Sequence, residues 1–190
     1  MPKMPIVIDT REQRPLDFSP FPDVRVVRAE LWPGDYSLQA ATNMVAIERK
    51  SVSDLIGTMK DGYAGFSATT PKRFDRELLA LRGYSRGGGR AFVLVEPDAH
   101  GQTAARQISA ANYRAAIDPE KVWAFIHSLR SVWLVDVVMA VSREHAAEIV
   151  VSAVRPFVGM KAVRRAILKA ELENKENERR ERDGGERLDG

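Results

Sequence analysis

Residues 91–96, Ala-Phe-Val-Leu-Val-Glu, constrain the fold of this 190-residue chain more than any other segment. Five consecutive apolar residues without polar alternation are typical of a strand that is covered on both faces. A chain of this length that is 44% hydrophobic can bury one such core, and its size favours one domain. We therefore expect an α/β fold in which helices flank both faces of a central mixed sheet.

Strand and helix signals alternate along the rest of the chain. Proline in the first turn predicts a helix at 71–82, and the glycine-rich segment 83–89 then precedes a strand, which favours a connector over a phosphate-binding loop. From residue 161 the propensity is helical, but 171–190 is nearly all charged or small. We expect a domain over 1–157 and a helical, then disordered, charged tail over 158–190. The other predicted strands are 6–9, 24–31, 35–38, 44–50 and 132–138, and the other predicted helices are 52–60, 118–129 and 143–154.

Two acidic residues and a lysine are predicted to meet on a hairpin. Pro33-Gly34 is a turn signal, after which 35–38 can pair with 44–50 and bring Asp35 beside Glu48. Because side chains two apart on a strand share a face, Glu48 and Lys50 point the same way and Arg49 points the opposite way.

This arrangement suits metal-assisted hydrolysis of a phosphodiester. The chain has no cysteine and its three histidines lack ligand spacing, so carboxylates and a hard cation such as Mg²⁺ are favoured. Asp35 and Glu48 are the expected metal ligands, with Asp9 as an additional carboxylate. Lys50 would orient the attacking water or stabilise charge. We expect Arg49 either to reach a phosphate or to pair with a buried acid such as Asp54 or Glu77.

Each of these residues also has a structural alternative. Asp54 follows Ser51 by three residues, so the two can form a helix capping box. The acids at 9, 12 and 35 could be loop or turn residues, and Glu48 with Lys50 an exposed cross-strand pair. The basic residues Lys72, Arg73 and Arg76 could contact DNA phosphates or lie on a solvated helix face. Trp32, Trp123 and Trp133 each lie in an apolar stretch and are expected to be core or interface residues.

The series Gly34, Asp35, Glu48, Arg49, Lys50 and Asp54 matches the motif GDxnERKx3D, and residues 6–154 resemble the nuclease domain of the XPF-type structure-specific endonucleases. The resemblance implies a restriction-endonuclease-like fold, Mg²⁺ or Mn²⁺ as cofactor, and cutting of branched, flapped or junction DNA. It also implies a set of residues that line the site: Asp9, Arg11, Glu12, Asp35, Glu48, Arg49, Lys50 and Asp54. Residues 155–190 show no helix-hairpin-helix glycines, so the chain resembles the stand-alone bacterial or phage form.

The remaining expectations concern partners and location. A net charge of +3 is compatible with DNA as partner, and from the composition of residues 1–10 and of the apolar segments we expect neither a signal peptide nor a membrane span. We expect a cytoplasmic or nucleoid-associated enzyme, or one in the host cytoplasm if phage-encoded, that acts in repair, recombination or phage DNA processing. The alternative function is a catalytically silent DNA-binding scaffold or partner subunit of a nuclease. RNA or single strands are the alternative substrates, and the chain could form a homodimer.

Overall fold

The computed structural model describes residues 3–62, 69–98, 100–110 and 118–185. The described residues form a six-stranded mixed sheet in the order β2-β1-β3-β4-β5-β6, in which β3 runs antiparallel to both of its neighbours. The other adjacent pairs are parallel. The strands are β1 Met4–Asp9, β2 Val24–Ala29, β3 Tyr36–Leu38, β4 Val45–Ser51, β5 Arg90–Glu96 and β6 Asp136–Met139.

These strand directions bring chemically active residues to one edge of the sheet. Five strands share a direction, so their carboxyl ends meet there, together with the amino end of β3. Asp9, Lys50 and Glu96 lie at the ends of β1, β4 and β5, and Asp35 immediately precedes β3. In open α/β sheets this carboxyl edge is the usual place for a ligand.

Helices cover both faces of the sheet. Phe92 and Leu94 of β5 pack with the cluster that includes the last two helices, whereas Val93 and Val95 pack with the cluster of the first four. The doubly covered central strand and the mixed α/β fold are therefore confirmed. The helices are α1 Val52–Gly57, α2 Arg73–Arg86, α3 Ala104–Ser109, α4 Pro119–Ser131, α5 Arg143–Val158 and α6 Lys161–Gly185, and a π-helical turn, Thr58–Gly62, follows α1.

Helix α2 begins and ends later than its sequence signals predict. Lys72 is the N-cap and its backbone N–H donates to Asp75 Oδ2 at 2.7 Å, so Pro71 precedes the helix instead of lying in its first turn. The helix continues past Gly83 to Arg86. Only residues 87–89 therefore act as the connector.

The edge strand β6 also starts later than predicted. The backbone N–H groups of Val132 and Trp133 both donate to Ser128 O, so these residues complete the end of α4 instead of opening a strand. Leu134 has a positive φ of 58°, which breaks extended geometry before β6. The prediction of a strand from residue 132 was wrong because hydrogen bonds to the end of α4 outweigh the local β propensity of these residues.

The charged C-terminal segment is helical to Gly185, and residues 186–190 lie outside the described part of the chain. Val163 and Ile167 of α6 are buried in the same cluster as α5. The start of the predicted tail therefore packs on the domain. No helix in the described ranges has both the length and the apolarity that crossing a membrane requires.

Candidate active site

A pocket of about 490 Å³ opens at the carboxyl edge of the sheet. It brings together nine of the eleven residues that were predicted to be catalytic, metal-binding, site-lining or DNA-binding. Lys72 and Arg76, at the start of α2, are exposed and do not line it. The nine that do are Asp9, Arg11, Glu12, Asp35, Glu48, Arg49, Lys50, Asp54 and Arg73.

The turn before β3 fixes Asp35 against β4. Gly34 has a φ of 89°, and a Cβ there would lie 2.9 Å from Ile47 O. The Asp35 N–H donates to Ile47 O at 2.8 Å, and Asp35 Oδ2 accepts from the Arg49 N–H at 2.8 Å. The antiparallel pairing of β3 and β4 confirms the predicted hairpin.

Glu48 and Lys50 lie on the same face of β4, as the strand alternation predicts. Lys50 Nζ is 3.1 Å from Glu48 Oε1 and 4.5 Å from the centre of the Phe74 ring. It also lies 4.0 Å from Glu77 Oε2. The ammonium group is thus held between two carboxylates and an aromatic face, with 12% of the side chain exposed.

Burial makes the Asp35 and Glu48 pair resist ionisation. Burial, together with the nearby Asp35 charge, raises the pKa of Glu48 to about 8, although Lys50 partly offsets the effect. Burial likewise raises the pKa of Asp35 to about 6, against the hydrogen bond from the Arg49 N–H. Adjacent buried carboxyl groups of this kind are typical of a functional site and are stabilised in the ionised form by a cation.

Asp9 has a different environment. Its Oδ1 accepts from the Arg11 backbone N–H and from Nε at 2.7 and 2.8 Å, and its Oδ2 accepts from Leu31 N at 2.6 Å and Arg11 Nη2 at 3.0 Å. Burial alone would raise the pKa of Asp9, but these hydrogen bonds hold it at about 2. Both oxygens are therefore already engaged, and the metal-binding role of Asp9 stays a prediction.

The donor chemistry fits a magnesium-type ion held by few protein ligands. Across the described ranges no group of three or more His, Cys, Asp or Glu residues is arranged to hold a metal ion. Mg²⁺ is usually bound through one or two carboxylates, with water and substrate phosphate completing the shell. Asp35 and Glu48 meet that requirement.

Arg49 points to the opposite face of β4 and pairs with other acids than those predicted. Its Nε and Nη2 lie 3.1 and 3.0 Å from the two Glu12 carboxylate oxygens, and its Nη1 donates to Glu96 Oε1. The suggested partners Asp54 and Glu77 were wrong. Glu77 lies near Lys50, on the face of β4 that α2 covers. Strand alternation places Arg49 on the opposite face, out of reach of Glu77.

Sequence reasoning missed two residues of this site, Arg143 and Glu96, and gave Glu77 the wrong partner. Arg143, in the first turn of α5, donates to Glu96 Oε1 and to Pro15 O, the latter at 2.9 Å, so it ties the loop after β1 to β5. Glu77 is buried and accepts from Arg73 Nε at 2.9 Å. Two signals in the sequence could have indicated these acids. Glu96 ends an apolar strand, and Arg73 and Glu77 are oppositely charged residues four apart on a helix.

Two further residues define the rim of the pocket. The Asp54 N–H donates to Ser51 Oγ at 3.1 Å, which confirms Ser51 as N-cap of α1 and leaves the Asp54 carboxylate on the pocket wall. Trp32 is 56% exposed and also lines the pocket. Core placement is right for Trp133, which is 1% exposed, and wrong for Trp32.

Comparisons with known proteins agree on the fold. A family model described as the ERCC4 domain matches residues 8–153. XPF from Aeropyrum pernix is 20% identical with a TM-score of 0.55, over 85% of this chain and 68% of that one. A structure of Aeropyrum pernix XPF in complex with DNA is 20% identical with a TM-score of 0.54, over 82% and 66% respectively. No curated protein matches the chain.

Proposed function

This chain belongs to the ERCC4-domain family, and we propose that it is a metal-dependent DNA endonuclease that hydrolyses phosphodiester bonds in branched, flapped or junction DNA. The observation that carries the proposal is the pair of buried carboxyl groups, Asp35 and Glu48, with Lys50 bonded to Glu48 in one pocket. The corresponding role is in repair, recombination or phage DNA processing.

Asp35 and Glu48 would hold Mg²⁺ or Mn²⁺, which when bound acidifies water and neutralises charge on the scissile phosphate. The proposal needs both carboxylates ionised. Because their pKa values are raised, binding of the cation would have to displace the protons from these carboxyl groups. The turn at Gly34 and the Arg49 N–H hold Asp35 in place for this purpose.

Lys50 acts beside the attacked phosphorus. Of its two described carboxylate neighbours, Glu48 lies within ordinary hydrogen-bond distance of Nζ and Glu77 does not. The ammonium group can therefore also donate to the attacking water or to a phosphate oxygen. Phe74 covers the ammonium group and limits its hydration.

Arginines around the pocket would bind the DNA backbone. The side chains of Arg11 and Arg73 are 63% and 79% exposed, yet each is oriented by a buried carboxylate, Asp9 and Glu77 respectively. Oriented guanidinium groups suit phosphate recognition. Arg76 and Lys72 would extend the same contact along α2.

The alternative is a scaffold that binds DNA without cutting it. Retention of both carboxylates and Lys50 in one pocket favours the enzyme, because a scaffold has no need of buried carboxyl groups that resist ionisation.

The test is incubation with labelled flap, fork, duplex and single-stranded DNA, with EDTA, Mg²⁺ or Mn²⁺. We expect cleavage only with a metal, and a loss of at least about 100-fold in the Glu48→Ala, Lys50→Ala double variant. Leu172→Ala, an exposed change on α6, is the matched control. Binding without cleavage would support the scaffold, and equal cleavage by the double variant would place the activity elsewhere.

A further inference from the structure

Trp32 is an exposed aromatic ring at the wall of the candidate site. It lines the same pocket as Asp35 and Arg11, and 56% of it is open to solvent. Tryptophan gains more from burial than almost any other side chain, as the fully buried Trp133 illustrates. An unburied ring in a polar pocket is therefore available for a ligand with a flat apolar face.

The backbone on both sides of Trp32 is fixed. The Leu31 N–H donates to Asp9 Oδ2 at 2.6 Å, and Leu31 O accepts from Arg11 Nη2 at 2.6 Å. On the other side, Asp35 is bonded to Ile47 O. The ring is thus carried on an anchored segment three residues from a proposed metal ligand, and its position needs little ordering on binding.

The surroundings favour a nucleic-acid base over an apolar protein surface. Arg11, which is bonded to Leu31 O, lines the pocket together with Gln13 and Arg14 of the same loop. These residues are charged or polar, so Trp32 does not belong to a contiguous apolar patch there. An aromatic ring beside arginines is the combination that binds single strands, since the ring stacks on a base and the guanidinium contacts the phosphate.

We propose that Trp32 stacks on an unpaired base of the DNA strand whose phosphate enters the Asp35–Glu48 site. A base inside a duplex has both faces covered by its neighbours, so an unpaired base or the end of a stack is needed to offer a free face. Trp32 would thereby favour substrates that have single-stranded nucleotides beside the cut. This inference rests on the proposed nuclease function.

The first test measures binding in EDTA, so that catalysis does not contribute. We expect Trp32→Ala to bind single-stranded and flap oligonucleotides about tenfold more weakly than the wild type, with little change for a blunt duplex. Trp32→Phe should retain most of the affinity because it keeps a stacking ring. Single strands should quench wild-type tryptophan fluorescence, and this quenching should be lost in Trp32→Phe, in which Trp123 and Trp133 still report.

Leu172→Ala, which removes an exposed apolar side chain from α6, should bind all substrates as the wild type does. Equal binding of single strands by Trp32→Ala and wild type would overturn the stacking role, as would an equal loss on duplex and flap DNA.

A metal-dependent cleavage assay separates this inference from the proposed function. Wild-type cleavage of flap DNA with an unchanged KM in Trp32→Ala would overturn the stacking role alone. Failure of the wild type to bind or cut any DNA would overturn both.

Discussion

Carboxylates of the same chemical class serve opposite purposes in this site. Asp9 accepts four hydrogen bonds, and its pKa is held at about 2. Glu48 is also buried, and among the described residues its hydrogen-bond partner is Lys50; burial and the nearby Asp35 charge raise its pKa to about 8. Asp9 therefore stabilises the fold when ionised, whereas ionised Glu48 destabilises the metal-free protein.

Glu48→Gln is expected to raise the melting temperature of the metal-free protein, and to raise it more at pH 8 than at pH 5. An ordinary glutamate ionises near 4.5, whereas folded Glu48 ionises near 8. Between these values the folded state holds the proton more tightly, so wild-type stability falls as the pH rises, and glutamine removes that dependence. The gain in the free energy of unfolding should be on the order of 1–2 kcal/mol. Each kcal/mol raises the melting temperature of a chain of this size by about 2–4 °C.

The measurement is thermal unfolding in EDTA from pH 5 to pH 8, with Glu176→Gln on the exposed part of α6 as control. A gain that is the same at every pH would contradict the assigned pKa.

At the level of elements, the site depends on the short strand β3 and its turn. This strand has three residues, yet it lies between β1 and β4 and carries Asp35 at its amino end. Ser37 Oγ donates to Val45 O at 2.6 Å, and the Tyr36 hydroxyl accepts from Leu16 N at 2.9 Å. The first bond holds the strand in register with β4, and the second ties it to the loop after β1, so Asp35 is fixed relative to Glu48.

Gly34→Ala is expected to destabilise the protein by about 1–3 kcal/mol, because an added Cβ would meet Ile47 O in a backbone conformation with positive φ. Gly83→Ala is the matched control. It lies inside α2 with nothing within 4 Å of an added Cβ, so it should stabilise by about 0.5–1 kcal/mol. Urea unfolding measures both, and equal effects of the two substitutions would refute the close-approach argument.

At the scale of the whole molecule, the sheet separates two buried clusters, and the cluster on the α5 face is closed by α6. Val163 and Ile167 are 3% and 1% exposed, whereas Leu168 and Leu172 on the same helix are 42% and 62% exposed. Only one side of the first turns of α6 therefore belongs to the core.

Truncation after residue 157 is expected to destabilise the domain, and truncation after residue 170 to leave it nearly unchanged. Removing two buried aliphatic side chains costs about 3–6 kcal/mol in lost burial. Thermal unfolding and limited proteolysis of the two shortened chains measure the difference. Equal stability of both would mean that α6 contributes nothing to the core and that the predicted boundary at 157 is also a packing boundary.

Local patterns in the sequence were sufficient to predict the mixed α/β fold, most strands and helices, and the placement of Glu48 and Lys50 on one face of β4. The apolar run at 91–96 predicted a covered strand, and alternation placed Glu48 and Lys50 together, because strand geometry fixes side-chain direction without reference to the rest of the chain. The hairpin followed for the same reason, since its turn signal and both strands lie between residues 33 and 51.

Only the tertiary structure decided which distant groups meet. Arg49 pairs with Glu12 and Glu96, which lie 37 and 47 residues away, and Arg143 reaches Pro15 across 128 residues. Trp32 has apolar neighbours in sequence, yet it remains exposed because the anchored turn carries its ring to the pocket wall. Such pairings depend on how whole elements stack on the sheet, whereas a local pattern records only the face on which each residue lies.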